Sequence, residues 1–285
     1  MNYYPLEIAG LRLLLEAEFP LTLHKYLQPF LKEQFSKPPD YIYHLTNAFP
    51  PSQCSEIVFS DSSMTVFSSK GREVRRYTMW DSDPHSPVNP ALFPAEDRKY
   101  TLYCPPPHQK IYAEACELTP MLALEAVFAQ NRRLILHSSV VLYRGEAVLF
   151  CAASGVGKST QAALWEQIFG AEILNGDRCV LEQKETAFIA HGSPYSGSSE
   201  ICKCKSAPIK GIFLISQAKE NTVSRPAEME ALRKLFLQTV VNLWNPKQVQ
   251  TITDELADLI AKIPIYQLAC RPDREAAELA EKTLF

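Results

Sequence analysis

Residues 147–160 read Ala-Val-Leu-Phe-Cys-Ala-Ala-Ser-Gly-Val-Gly-Lys-Ser-Thr, an apolar run followed by a small-residue loop that closes on Gly157-Lys158-Ser159. The spacing is that of a phosphate-binding loop, with Ala152 where the first glycine usually stands. Successive backbone N–H groups of such a loop point inward at phosphate oxygens, its lysine meets the β/γ oxygens and its serine hydroxyl reaches Mg²⁺. The candidate contacts are Ser154, Gly155, Val156, Gly157, Lys158, Ser159 and Thr160. The flanks have the required order, since 147–151 reads as a buried strand and 160–169 as a helix, with Gly170 suited to its C-cap. The expected ligand is a nucleoside triphosphate, ATP, with Mg²⁺.

The bulk composition narrows the partners. A chain of 285 residues favours about two domains, and 46% hydrophobic with 21% charged residues is a globular composition with material for a sizeable core. A net charge of −3 gives no electrostatic case for nucleic acid. The start, Met-Asn-Tyr-Tyr-Pro-Leu-Glu, lacks the basic and apolar regions of a secretory signal, and no stretch is long and apolar enough to span a bilayer. The expectation is a cytoplasmic protein without a membrane partner. The 8 cysteines are scattered and read as thiols; Cys202-Lys-Cys204, their closest pair, lacks the partners a zinc site needs.

Residues 1–116 read as a small α+β domain. Period-2 alternation predicts a strand over 11–19, and Leu23, Tyr26, Leu27, Phe30 and Leu31 fit one face of a short helix. Further strands are expected at 57–60, 64–69, 74–79 and 100–104, with a hairpin around Lys70-Gly71-Arg72 and an irregular proline-rich loop over 81–94. His24, His44, His85 and His108 are isolated and suggest no site.

Residues 117–285 read as an α/β domain built around the loop. Thr119-Pro120 looks like an N-cap with proline at N1, opening a helix to about Gln130. Strands at 133–143 and 146–151 flank Arg144-Gly145 as a hairpin. More strands are expected at 173–174, 179–182, 188–190 and 212–216. Helices are expected from Pro226 to about Trp244, stopping near Asn245-Pro246, and over 249–263. A strand at 265–269 and a helix from Pro272 complete the chain. Trp165 and Trp244 sit at apolar positions of these helices and read as core.

The stretch after the loop sorts it among nucleotide-binding proteins. Most such proteins place a second acid at the end of a later apolar strand, yet Lys210-Gly-Ile-Phe-Leu-Ile-Ser216 ends in serine. The nearest usable acid is Asp177, just after Glu172-Ile-Leu-Asn-Gly176. One helix and a short return strand would bring it back beside the loop.

The segment His137-Ser-Ser-Val-Val-Leu-Tyr-Arg-Gly-Glu-Ala-Val-Leu-Phe-Cys-Ala-Ala-Ser-Gly-Val-Gly-Lys-Ser-Thr160 resembles the catalytic domain of bacterial HPr kinase/phosphorylase. It is also similar to the wider HPr-kinase-like group, which includes peptide-tailoring kinases of lasso-peptide clusters. Gly192-Ser-Pro-Tyr-Ser-Gly197 and the closing Gln267-Leu-Ala-Cys-Arg-Pro-Asp273 fit the same group, so the resemblance covers roughly 120–285. It implies a P-loop kinase domain of the HPr-kinase type behind the small α+β domain, a phosphotransferase activity and possible homo-oligomers. There are two departures. The family has two adjacent aspartates where this chain has Gly176-Asp177, and its Arg-Gly-x-Gly stretch is missing, which argues against HPr itself as substrate.

Phosphoryl transfer asks the protein mainly to position groups and neutralise charge. Lys158 would serve the β/γ bridge and Ser159 the Mg²⁺. Asp177 would either hold the metal through water or accept the acceptor's proton. By analogy His137 would lie near the γ-phosphate; the alternative is a core histidine satisfied by backbone. Arg178 suits either a phosphate or a surface ion pair. Ser193, Tyr195, Ser196, Gly197 and Ser198, in the hydroxyl-rich loop 191–199, would line the acceptor site, or form a plain Ser/Gly turn. Lys203, Lys205 and Lys210 would attract an anionic acceptor or simply be solvated. The leading reading is an ATP- and Mg²⁺-dependent kinase acting on a hydroxyl, of serine in a peptide or small protein or of a small molecule. The alternatives are a non-catalytic nucleotide-binding regulatory module and a phosphorylase linked to phosphate or pyrophosphate.

Overall fold

In the computed structural model the described residues are 1–50, 56–69, 72–78, 89–106 and 118–285, with Ser69 and Ser198 described by backbone alone. The expected turn at Lys70-Gly71, most of the expected loop at 81–94, and Cys54, Met79, His85, His108 and Cys116 lie outside them. The fold is mixed α/β, divided into two compact units, Met1–Leu124 and Glu125–Phe285.

The first unit is built on one sheet, β1 (Asn2–Ile8), β2 (Leu11–Ala17), β3 (Tyr41–Thr46), β4 (Glu56–Ser60), β5 (Met64–Ser69), β6 (Arg72–Tyr77), β7 (Ala91–Pro94) and β8 (Lys99–Tyr103), in the order β1-β2-β3-β8-β7-β6-β5-β4. Along β2 the apolar positions Leu11, Leu13, Leu15 and Ala17 are buried and Arg12, Leu14 and Glu16 less so, the alternation the sequence carries. The helix expected over 23–31 does not form; only a 3₁₀ turn at Gln28–Phe30 is present. Pro29 lacks an N–H to donate within a helix and restricts the residue before it. Inside the expected loop 81–94, β7 is a strand with Ala91, Leu92 and Phe93 buried, framed by Pro90 and Pro94 at its ends, where a strand tolerates proline.

The expected helix 119–130 is two pieces, α1 (Leu118–Met121) and α2 (Leu124–Ala129). Ala123 between them is left-handed at φ 50°, and Thr119 lies inside α1 rather than capping it.

The second unit carries β9 (Arg133–Tyr143), β10 (Glu146–Cys151), β11 (Glu172–Asn175), β12 (Arg178–Gln183), β13 (Phe188–His191), β14 (Ser206–Gln217), β15 (Thr222–Ser224) and β16 (Ile265–Cys270). Its helices are α3 (Lys158–Phe169), α4 (Glu228–Phe236), α5 (Pro246–Lys262) and α6 (Arg274–Leu284). Arg144 and Gly145, both at positive φ, turn β9 into β10 as expected of a two-residue hairpin. The pairings β10–β9–β12–β13–β14 return to β10, because the long β14 meets β13 with its first residues and runs parallel to β10 with the next. Its last residues run parallel to β16. One side of this sheet packs Leu149, Leu181, Ile212 and their neighbours against α4 and α5, and the other packs Phe150, Phe213 and Leu268 against α3 and α6.

Two boundaries differ from expectation. The helix from Pro226 ends at Phe236; the β-branched run after it lies along β9 instead, with His137 N–H donating to the Gln238 carbonyl and Val240 N–H to that of Ile135. Asn245-Pro246 is not a stop but the start of α5: the Asn245 side chain accepts from Gln248 N–H, and Pro246 occupies the first turn, where its missing N–H costs nothing. Among the described residues no helix is long and apolar enough to cross a membrane.

Candidate functional site

Strand β10 is apolar because it lies inside the sheet between β9 and β14, and it delivers the loop 152–157 at its carboxyl end. Gly155 (φ 78°) and Gly157 (φ 125°) adopt backbone angles that L side chains rarely take; nothing crowds either one, so conformation and not space requires glycine. Ala153, Ser154, Gly155, Ser159 and Thr160 are exposed at the loop and the first turn of α3. That turn has no side-chain cap, and the first N–H groups of a helix are where anions commonly bind. Lys158 is buried, and its ammonium donates to the carbonyls of Ala152 (3.0 Å) and Ala153 (3.3 Å). Burial lowers its pKa, while the charge of Asp177 acts in the opposite sense.

Asp177 sits on the turn between β11 and β12, beside β9, where Ser138 N–H donates to its carbonyl. Its Oδ1 is 3.2 Å from Nε2 of His137 and its Oδ2 3.6 Å from Nε of Arg178. Desolvation, then the charge of Lys158, lower the His137 pKa and favour the neutral ring; the Asp177 carboxylate opposes that shift. His137 is thus partnered by a carboxylate and is not a core histidine satisfied by backbone. Lys158, His137, Asp177 and Arg178, read from separate stretches of sequence, come to one place. Arg178 also lies over the Tyr195 ring, 5.7 Å from its centroid.

The loop 192–199 approaches the same acid. Gly197, at φ 55°, has its Cα against Asp177, where an added Cβ would lie 2.7 Å from the carboxylate carbon. Gly176 is equally constrained: a Cβ there would meet the Ser199 hydroxyl at 1.9 Å, so a side chain at this position requires Ser199 to move. Ser193 and Ser196 are buried; the Ser193 hydroxyl donates to the Arg178 carbonyl and accepts from Tyr195 N–H. Lys203 and Lys205 both pair with Glu172, and Lys210 pairs with Glu146, so these cations already have anionic partners.

Sequence reasoning missed Asn175. It is fully buried, and its carboxamide contacts both the Asp177 turn and the 192–199 loop. A buried Asn before Gly reads in sequence as turn chemistry, and its loop partners lie far along the chain.

Beside the 152–157 loop, at the carboxyl ends of β14 and β16, is a cavity of about 400 Å³ lined by Gly157, Thr160, Gln161, Gln217, Cys270 and Arg271. The carboxyl ends of parallel strands are where open α/β sheets take ligands. Among the described residues no group of three or more His, Cys, Asp and Glu side chains is gathered as a metal site.

No family model matches the sequence, and no curated protein matches it. Among solved structures the chain is similar to the Hpr(Ser) kinase/phosphatase from Coxiella burnetii, with a TM-score of 0.30 and 11% identity, over 52% of this chain and 86% of that one. A likeness this slight carries no argument about chemistry, which rests on the site geometry.

Proposed function

We propose that the unit Glu125–Phe285 is an ATP- and Mg²⁺-dependent phosphotransferase that moves the γ-phosphoryl group to a hydroxyl, that of serine in a peptide or small protein or of a small molecule. The observation that carries this reading is the His137–Asp177 pair, 3.2 Å apart, within the field of the buried Lys158 ammonium at the mouth of a glycine loop.

The N–H groups of 154–160 would bind phosphate oxygens, and Lys158 would exchange the Ala152 and Ala153 carbonyls for the β/γ bridge. Ser159 and, through water, Asp177 would hold Mg²⁺. An ion bound together with nucleotide phosphates needs only one or two protein carboxylates, which fits a site without a gathered acidic cluster. When bound, the ion would neutralise charge on the transferring group. The cavity beside Thr160 and Gln161 would seat the nucleoside. Asp177 would take the acceptor's proton as the acceptor oxygen bonds phosphorus and the β–γ bridging bond breaks, releasing ADP. Neutral His137 would donate Nε2–H to Asp177 and hold the carboxylate in place.

The closed space at Gly176 favours a second reading, a non-catalytic nucleotide-binding module, because it leaves this turn a single carboxylate. One experiment separates the two. Purified protein is incubated with γ-labelled ATP, Mg²⁺ and a lysate peptide and small-molecule fraction. The kinase reading expects label on an acceptor, reduced about a hundredfold or more in Asp177→Asn with ATP affinity retained. Tight ATP binding by the wild type with no labelled acceptor would overturn it in favour of the module.

A further inference from the structure

We infer that Asn175 is a positioning residue that ties Asp177 to the 192–199 loop, so that the acid and the loop are held as one body; the inference rests on the proposed role of Asp177. Asn175 ends β11 and is fully buried. Its Nδ2 donates to the carbonyls of Ser193 (3.0 Å) and Tyr195 (3.1 Å), and its Oδ1 accepts from the N–H groups of Asp177 (2.9 Å) and Arg178 (2.8 Å). These bonds use both donors and both lone pairs of a carboxamide. They also fix its orientation, since a flipped amide would set its NH₂ against two N–H groups.

No other side chain of this size does the same. Aspartate would keep the bonds to the two N–H groups but set a carboxylate against two carbonyls. Leucine would remove the hydrogen bonds that the carboxamide gives these four backbone groups, of which the Ser193 carbonyl lies in a buried contact that is costly to leave unmet. Two further contacts join the same segments: the Ser193 hydroxyl reaches the Arg178 carbonyl, and Gly197 packs directly on the Asp177 carboxylate. The distance from Asp177 to His137 is therefore set from the loop side as well as from β9. A ligand that displaces the loop would displace the proton acceptor with it.

The test uses the full chain and needs no substrate. Asn175→Asp and Asn175→Ala are compared with the wild type by the NMR chemical shifts of the His137 ring at about pH 8, identified by their loss in His137→Asn, and by amide hydrogen exchange. The ring lies 3.2 Å from the Asp177 carboxylate, so a carboxylate that moves changes the ring's shifts. Both variants should change the His137 ring shifts and exchange about tenfold faster at Tyr195–Gly197. In Asn175→Ala alone, the amides of Asp177 and Arg178 also exchange faster. A lower melting temperature with His137 ring shifts and loop exchange unchanged would overturn the inference. If neither variant folds, Gly197→Ala pushes on the same carboxylate from the loop and must change the His137 ring shifts; no change there overturns the inference. Both readouts are independent of phosphate transfer, so a chain that fails to transfer label can still show the Asn175 coupling.

Discussion

Gly176 and Gly197 enclose Asp177 by what they lack. A side chain at either would strike Ser199 or the Asp177 carboxylate, so the loop closes over a single acid. Gly176→Asp, which sets a second carboxylate beside Asp177, is expected to destabilise the chain by about 1–3 kcal/mol through overpacking and not to raise phosphate transfer. Thermal denaturation and the labelled-ATP assay check this, and Ser199→Gly in the same chain should recover part of the stability. The sequence makes Lys158 and Ser159 legible because a phosphate loop needs those residues in that order. His137 and Asp177 can be paired from sequence only through a family resemblance. Asn175 cannot be read at all, because its significance lies in contacts made across the fold.

Helix α5 shows the same limit at the scale of elements. Its apolar face is readable from periodicity, but Glu255 on the buried side is not. Burial pushes the Glu255 carboxyl from 4.5 up to about 7, with Asp258 adding to the rise and Arg132 and Arg133 opposing it. The folded chain then holds a proton that the unfolded chain has released, so this residue's contribution to stability falls as pH rises from 4.5 to about 7. Glu255→Gln is expected to stabilise the protein by roughly 2 kcal/mol at pH 8 and by little at pH 4.5, measured by denaturant unfolding at both pH values. Strands β9 to β13 are legible from apolar runs bounded by turn residues. Three elements beside proline are not. Pro29 prevents a helix that the apolar spacing allows, Pro90 and Pro94 conceal β7, and Pro246 opens a helix where it reads as a terminator.

Across the whole molecule, the sheet arrangement concentrates the candidate chemistry at one edge of the second unit. β10, β14 and β16 run parallel, and the glycine loop and the cavity lie at their carboxyl ends. The antiparallel strands β9 and β12 bring His137 and Asp177 to the same edge. Mg²⁺–ATP at a hundred times its Kd is expected to stabilise the unit that binds it by about 2.7 kcal/mol. Hydrogen exchange should then slow at 152–160 and around Asp177, and not in the strands of the first unit. The proposed chemistry depends most on the loop as a phosphate cradle with Lys158 as its cation, and titration calorimetry with Mg²⁺–ATP on wild type and Lys158→Ala tests that directly. The wild type should bind and the variant should bind about a hundredfold more weakly or not measurably, having lost a charge-assisted contact to phosphate; equal affinity in the two proteins would contradict the account.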